Sequence, residues 1–148
     1  RCELLEADGH VVSDNRYWQS QRADDVGPPT NDAAFDSKQV SWADMTALNY
    51  LPKTALDVTA RYDDAGATDK VTIRLHNPNP GIAFFERAEL LTSPLAEEIL
   101  PIEYDDNYVT VFGGETVEIH GHVPTAGTTP RWVRVSGYNS VPTVVAVH

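Results

Sequence analysis

The sequence predicts an all-β chain: an immunoglobulin-like antiparallel β-sandwich of about seven strands, with an N-terminal hairpin and one short helix. Three features carry this. Between residues 56 and 138, β-branched and aromatic residues alternate with polar ones at a period of two. Clusters of Gly, Pro, Asn and Asp interrupt that alternation at short intervals. Only one stretch, residues 41–51, has helical spacing. A sandwich of this kind takes ~100 residues, which residues 52–140 supply.

The elements follow in order. Residues 1–20 are expected to form a β-hairpin: Cys2 to Ala7 is one extended run, Asp8-Gly9 a two-residue turn signal, and Val11 to Trp18 the return. A lone hairpin is marginal in water, so this one needs a partner. Residues 21–51 are a linker with a short helix. Pro28 and Pro29 favour extended geometry, and Phe35 is the expected anchor. Ser41 and Asp44 resemble a capping box. Met45 and Leu48 share a helical face, and Pro52 stops the helix.

The sandwich strands come next. Leu56, Val58, Ala60 and Tyr62 alternate with polar residues, and a turn over 63–69 contains Gly66. Val71, Ile73 and Leu75 form the second dry face. Asn77-Pro78-Asn79-Pro80-Gly81 is a stiff connection. Phe84 to Leu91 has broken parity, because Glu86 shares a face with Phe84, Ala88 and Leu90 and must reach an edge or a partner. Pro101 confines the short strand from Ile99 to Tyr104 to an edge or a bulge. Tyr108 to Phe112 and Val117 to Val123 are expected to pair as a hairpin across Gly113-Gly114, with Val117, Ile119, Gly121 and Val123 on its dry face. Thr125 opens a loop, Arg131 to Tyr138 is the last strand, and 141–148 is a tail.

Composition narrows the function. The chain has 148 residues and a formal net charge of −11. That charge repels phosphate backbones and anionic lipid, so neither nucleic acid nor membrane is an expected partner. No apolar run approaches the ~20 residues of a membrane span, and no signal peptide is visible. The chain starts inside a strand-like run at Arg1-Cys2, as a fragment of a longer polypeptide would. Cys2 is the single cysteine, so an internal disulfide and a cysteine-cluster zinc site are both excluded.

Few residues point to chemistry. Adjacent carboxylates occur at Asp24-Asp25, Asp63-Asp64, Glu97-Glu98 and Asp105-Asp106. Neighbours on a strand point to opposite faces, so these pairs do not face each other across a substrate. Asp105, Asp106 and Asn107 read as turn caps. His120 and His122 share a strand face but lack a third metal ligand, so an exposed polar face is the expectation. No catalytic residue, metal site or cofactor is expected. Trp132 and Tyr138 share a strand face by parity, with Arg134 and Ser136. Exposed aromatics there suit a domain interface or a sugar; a domain interface is the stronger expectation. Tyr104, Asp105, Asp106, Asn107 and Tyr108 join them as candidate sugar or domain contacts.

Several motifs in a fixed order resemble one family. They are Gly9-His-Val-Val-Ser-Asp-Asn-Arg-Tyr-Trp18, Trp42-Ala-Asp-Met-Thr-Ala-Leu-Asn-Tyr-Leu-Pro52, Asn77-Pro78, Ala83-Phe-Phe85, Ile99-Leu-Pro-Ile-Glu-Tyr-Asp-Asp-Asn-Tyr108 and Gly114-Glu115. Together they resemble the C-terminal region of glycoside hydrolase family 2 exo-β-D-glucosaminidases, and less closely β-mannosidases. Gly113 departs from a pattern that tends to Pro, and Glu86 from one that is usually apolar. The resemblance implies a non-catalytic accessory domain of a chitosan-degrading enzyme. Its catalytic carboxylates would lie in a (β/α)8 barrel, for which this chain has no strand–helix alternation. It also implies that residues 1–20 close a preceding immunoglobulin-like domain. The implied partners are that domain and the barrel, with chitosan oligosaccharide as a further ligand. Stacking of sugar on Trp132, Tyr138 or Trp18 is the alternative reading, and the implied setting is a secreted parent enzyme.

Overall fold

The computed structural model describes residues 1–28, 38–64, 67–124 and 127–148. Phe35 and Gly66, the expected linker anchor and turn glycine, lie outside the described residues, as do Pro29 and Thr125. The chain divides into two compact units, residues 1–51 and 52–148.

In the first unit, β1 (Cys2–Leu5) and β2 (Val11–Asn15) pair antiparallel. Their turn is longer than two residues. Glu6 N–H donates to the His10 carbonyl (2.8 Å) and Gly9 N–H to the Glu6 carbonyl (3.0 Å), with Gly9 at φ +88°. Asp8 caps it by accepting from His10 N–H. Every β1 and β2 residue is exposed, so this ribbon buries neither face. The linker is not structureless. β3 (Asp25–Val26) pairs with β4 (Gln39–Ser41), and the Asp24 carboxylate accepts from the Gln39 amide and from Ala43 N–H. The helix is a single 3-10 turn over Thr46–Tyr50. Ser41 does not cap it, because it ends β4. The cap position is Met45, without a side-chain cap, and Asp44 just before it accepts from both Thr46 N–H (2.9 Å) and the Thr46 hydroxyl (2.7 Å). Those two bonds hold the Asp44 carboxyl below its ordinary value.

The second unit is the sandwich. Its strands are β5 (Asp57–Asp64), β6 (Ala67–His76), β7 (Ala83–Leu91), β8 (Glu103–Tyr104), β9 (Val109–Val111), β10 (Thr116–His122), β11 (Trp132–Ser136) and β12 (Thr143–Ala146). One sheet runs β5-β6-β10-β8 and the other β12-β11-β7-β9. Val71, Ile73, Leu75 and Ile119 of the first sheet face Ala88, Leu90, Val111, Val133 and Val135 of the second in one dry core. Burying each large aliphatic contributes about 1.5–3 kcal/mol. Strand parity holds along β10 and into Val123 just after it: Ile119, Gly121 and Val123 are buried while Thr116, Glu118 and His120 are exposed.

Pairing departs from expectation in one place that matters. β9 and β10 are not a hairpin. β9 joins β7 in one sheet, and β10 joins β6 and β8 in the other. The chain therefore crosses between sheets at Gly113-Gly114. The cause is the Asn77–Gly81 connection, which takes up the corner's polar groups. Gly114 N–H donates to the Asn77 carbonyl (2.8 Å), Asn77 N–H to the Glu115 carbonyl (3.0 Å), and the Asn77 amide to the carbonyls of Val111 and Gly81. Gly114 takes φ +78°. A Cβ on Gly113 would lie 2.6 Å from the Pro80 carbonyl oxygen.

Two further features concern edges. The expected strand from Ile99 to Tyr104 is split: Ile99 N–H donates to the Leu90 carbonyl (2.9 Å) of β7, and Glu103–Tyr104 pairs at the edge beside β10. Within the 141–148 tail, Thr143–Ala146 is extended and forms an eighth strand. β12 pairs with β11, and His148 exchanges backbone bonds with Tyr62 and Ala60 of β5.

Candidate functional site

The candidate residues fall on different parts of the sandwich. Tyr104 turns inward. Its hydroxyl accepts from Leu90 N–H (3.1 Å) and lies 3.5 Å from Glu98 Oε1. Burial is the main reason its phenol is pushed far above the ordinary tyrosine range. It serves as a cross-sheet tie.

Asp105, Asp106 and Asn107 form a chain of turn caps. Asp105 Oδ1 accepts from His120 N–H (2.7 Å) and Oδ2 meets His120 Nδ1 at 2.6 Å. Burial pushes the Asp105 carboxyl up, but the His120 N–H and ring together outweigh it and hold the group below its ordinary value. Asp106 accepts from Asn107 N–H, and Asn107 from Tyr108 N–H. His122 lies between Glu103 (3.1 Å) and Asp69 (3.4 Å). Glu103, Tyr104, Asp105, His120 and His122 border a shallow depression of about 360 Å³. Among the described residues no group of three His, Cys, Asp or Glu side chains is arranged to hold a metal ion.

Asn107 does more than cap. Its amide donates to the Ala88 carbonyl (3.0 Å) and its oxygen accepts from Ala88 N–H (2.9 Å). The side chain thus mimics one more residue of β9 against β7, and it fixes the residue that follows. Tyr108 sits at φ +57°. On the facing strand, opposite Val109–Val111, the β7–β9 ladder is irregular between Ala83 and Glu86, and Phe85 within that bulge is also at φ +57°. Left-handed backbone is uncommon for bulky side chains. Phe85 and Tyr108 are the only non-glycine residues at positive φ among the described residues.

Their rings lie side by side. Phe85 and Tyr108 are 6.2 Å apart at 59°, Phe84 and Phe85 4.6 Å apart at 63°, and Phe84 and Tyr138 5.8 Å apart at 73°. Phe84 is buried at 7% exposure, whereas Phe85, Tyr108 and Tyr138 are 48%, 54% and 50% exposed. Aromatic pairs favour such tilted contacts. Phe85 and Tyr138 thus rest on buried Phe84, and Tyr108 rests on Phe85.

This grouping corrects one expectation. β11 ends at Ser136, so strand parity does not carry the side of Trp132 as far as Tyr138. Trp132 stands mid-sheet, half-buried between Leu91 and Ala146. Tyr138 instead packs on Phe84, while its N–H donates to the Phe84 carbonyl. Arg134 grips Glu89 through Nε (2.8 Å) and Nη2 (3.2 Å), and Arg87 bridges Glu89 and Glu98. The Arg134 hydrogen bond is the main reason the Glu89 carboxyl lies below its ordinary value. Trp18 lies in the first unit, where it borders an open groove of about 1080 Å³ with Trp42, Met45 and Tyr50.

Sequence reasoning missed Phe85 as a surface residue. The signal was present: a period of two that turns Phe84, Glu86, Ala88 and Leu90 inward leaves Phe85 outward. Glu86 is fully buried. Ser140 donates to its Oε2 (2.8 Å), and among the described residues Oε1 has no hydrogen-bond partner. Burial pushes its carboxyl above the ordinary glutamate range. Gly137 packs against that carboxyl so closely that a Cβ there would collide with it.

Comparison with known proteins places the chain. Residues 34–140 match the family described as Exo-beta-D-glucosaminidase Ig-fold domain. The chain is 33% identical over 143 residues to an exo-β-D-glucosaminidase of Amycolatopsis orientalis, covering 93% of this chain and 14% of that protein. It is 34% identical over 139 residues to one of Arthroderma benhamiae, covering 94% and 15%. The crystal structure of Amycolatopsis orientalis exo-chitosanase CsxA superposes with a TM-score of 0.77 at 31% identity, over 96% of this chain and 17% of that one. The chain thus spans about one-seventh to one-sixth of these relatives' length. On the matched sandwich and its sequence, it belongs to the exo-β-D-glucosaminidase Ig-fold domain family.

Proposed function

We propose that the chain is a non-catalytic accessory domain of a secreted glycoside hydrolase family 2 exo-β-D-glucosaminidase that degrades chitosan. Retaining hydrolysis would belong to a barrel domain outside this chain. The observation that carries the reading is the family match, on a chain that spans only 14–17% of the relatives it resembles. The carboxylates support it: Asp105 is engaged by His120, Asp106 by a turn, and Glu89 by two arginines. None is paired across a cleft as glycoside hydrolysis requires. The partners are the barrel and a preceding immunoglobulin-like domain. The fully exposed β1–β2 ribbon supports the second of these, because a two-stranded ribbon needs a sheet to join. The negative surface suits a polycationic sugar at short range, within a screening length of ~8 Å.

The test is enzymatic. The chain alone, incubated with chitosan oligomers, releases no glucosamine; measurable turnover overturns the reading. A second reading, sugar binding by exposed aromatics, has the exposure of Trp18 and Tyr138 in its favour. Calorimetric titration with chitosan oligomers separates the two. Saturable heat that disappears in Trp18→Ala or Tyr138→Ala supports binding, and silence supports the structural role.

A further inference from the structure

We propose that Glu86 is a proton-operated catch for the β7–β9 edge: as a neutral acid it keeps β9 seated on β7, and as a carboxylate it parts the two strands and separates the Phe85 and Tyr108 rings. This is a conformational device within the sandwich, and it does not depend on the accessory-domain reading.

The first argument is the setting of the carboxyl. Glu86 is fully buried, Ser140 donates to its Oε2, and Oε1 has no hydrogen-bond partner among the described residues. The Gly137 backbone closes over the group and leaves no room for a Cβ. Its ionisable neighbours are Arg87 and Glu89 on β7, Tyr108 before β9, Tyr138 after Gly137, and Lys53 next to Thr54, which pairs with Ser140. Arg87 is bound to Glu89 and Glu98, and Glu89 also to Arg134. None of them offsets a charge on Glu86, whose hold on its proton is set by burial and, in the opposite sense, by Ser140. An ionised Glu86 is then a buried charge with no counter-ion, and the fold relieves it by admitting water.

The second argument is where the fold opens most easily. β9 is the last strand of its sheet. It meets β7 at Ala83–Val111 and Glu86–Val109, with an irregular ladder between, and Glu86 is itself one of the paired residues. Val109 and Val111 belong to the core, so the strand stays seated while Glu86 is neutral. Phe85 beside Glu86 and Tyr108 beside Val109 are both left-handed, at φ +57°. Bulky residues hold that conformation only while their surroundings enforce it. Parting β9 from β7 therefore relaxes two strained residues and wets the carboxylate, while the β5-β6-β10 ladder stays intact.

The direction follows from linkage. The closed form holds the proton more tightly than the open form, in which water reaches the carboxyl. Closure is complete below the ordinary glutamate range, and opening grows by up to about tenfold per pH unit until the raised value is passed.

Hydrogen exchange of the full chain, read by mass spectrometry from pH 5 to pH 7.5 with and without low urea, tests this. After correction for the intrinsic rate, amides of 83–88 and 107–111 are expected to exchange roughly tenfold faster at pH 7.5, through an opening that urea does not accelerate. Amides of β6 and β10 exchange only when the whole fold opens, and urea accelerates them. Glu86→Gln abolishes the pH dependence at the β7–β9 edge. Three results overturn the proposal: flat exchange in the parent sequence, a pH dependence that survives in Glu86→Gln, or β7–β9 amides that exchange in step with β6 and β10 at every urea concentration. If Glu86→Gln does not fold, Ser140→Ala decides. Losing the hydroxyl that favours the carboxylate moves the pH at which exchange levels off upward, and an unmoved point overturns the proposal.

Discussion

A carboxyl with no access to water and a single hydrogen bond is costly, and Glu86 is such a group. Leaving a buried polar atom unpaired costs about 1–3 kcal/mol, and more if it is charged. Burial raises its folded pKa above the ordinary glutamate value. The folded state then holds the proton more tightly than the unfolded chain. Its share of stability is therefore complete below the ordinary glutamate range and is lost as pH rises through the raised value. Glu86→Gln keeps the shape and the acceptor for Ser140 but never ionises. Its melting temperature should exceed that of the parent sequence at pH 7.5, with the gap closing toward pH 4. A constant gap across that range would show that Glu86 does not titrate in the fold. Tyr108 is the opposite kind of residue, costly in backbone rather than charge. Tyr108→Asn places a residue tolerant of positive φ there. Stability of the isolated domain should hold or rise by about 1 kcal/mol, as read by chemical denaturation. A loss of more than about 2 kcal/mol would mean the ring contributes ordinary core packing.

At the scale of elements, the corner between β9 and β10 shows what sequence carries and what it does not. The alternation of Val117, Ile119, Gly121 and Val123 was legible because period two is a property of the strand itself. Which strand it pairs with was not, because Gly113-Gly114 serves equally for a hairpin or a crossing between sheets. Asn77, remote in sequence, decides by taking the corner's N–H and carbonyl groups. The outward side of Phe85 was legible, because the same period sets it opposite Phe84 and Glu86, but the left-handed backbone of the bulge around it was not. The β-branched Val144, Val145 and Val147 left the 141–148 tail open to an extended form, but its pairing with β11 is not a local property of the sequence. By contrast, Asp105, Asp106 and Asn107 were legible as turn caps, although the Asn107 bridge to Ala88 spans 19 residues and leaves no local trace. The corner makes a direct prediction. Gly113→Ala drives a Cβ against the backbone of Asn79 and Pro80. It should cost about 1–3 kcal/mol in urea denaturation. Gly81→Ala, with open space around the site, should be neutral or stabilise by a few tenths to about 1 kcal/mol. Equal effects of the two would remove the packing explanation of the corner.

Across the whole molecule, charge and burial together set where the fold is most stable. The formal charge of −11 at neutral pH means that folding gathers like charges, a repulsion that grows as the remaining protons leave. Glu86 adds to this with the same sign, since its raised pKa removes stability as pH rises. Glu89 and Asp105 act the other way. Their folded values are lowered, by Arg134 in one case and, against the opposing effect of burial, by His120 in the other. A lowered carboxylate contributes stability that is present above its unfolded value and is lost as pH falls through the folded one. Descending from pH 8, the chain should therefore gain stability from reduced repulsion and from protonation of Glu86. It should lose stability only below the ordinary carboxyl range, when the Glu89–Arg134 and Asp105–His120 contacts fail. The melting temperature should peak on the acidic side of neutrality and decline gently toward pH 8. Salt at pH 8 should recover part of that decline, because it screens the repulsion between exposed charges and leaves buried Glu86 untouched. A maximum above pH 8, or a decline that salt deepens, would show that neither the net charge nor Glu86 governs the fold's response to pH.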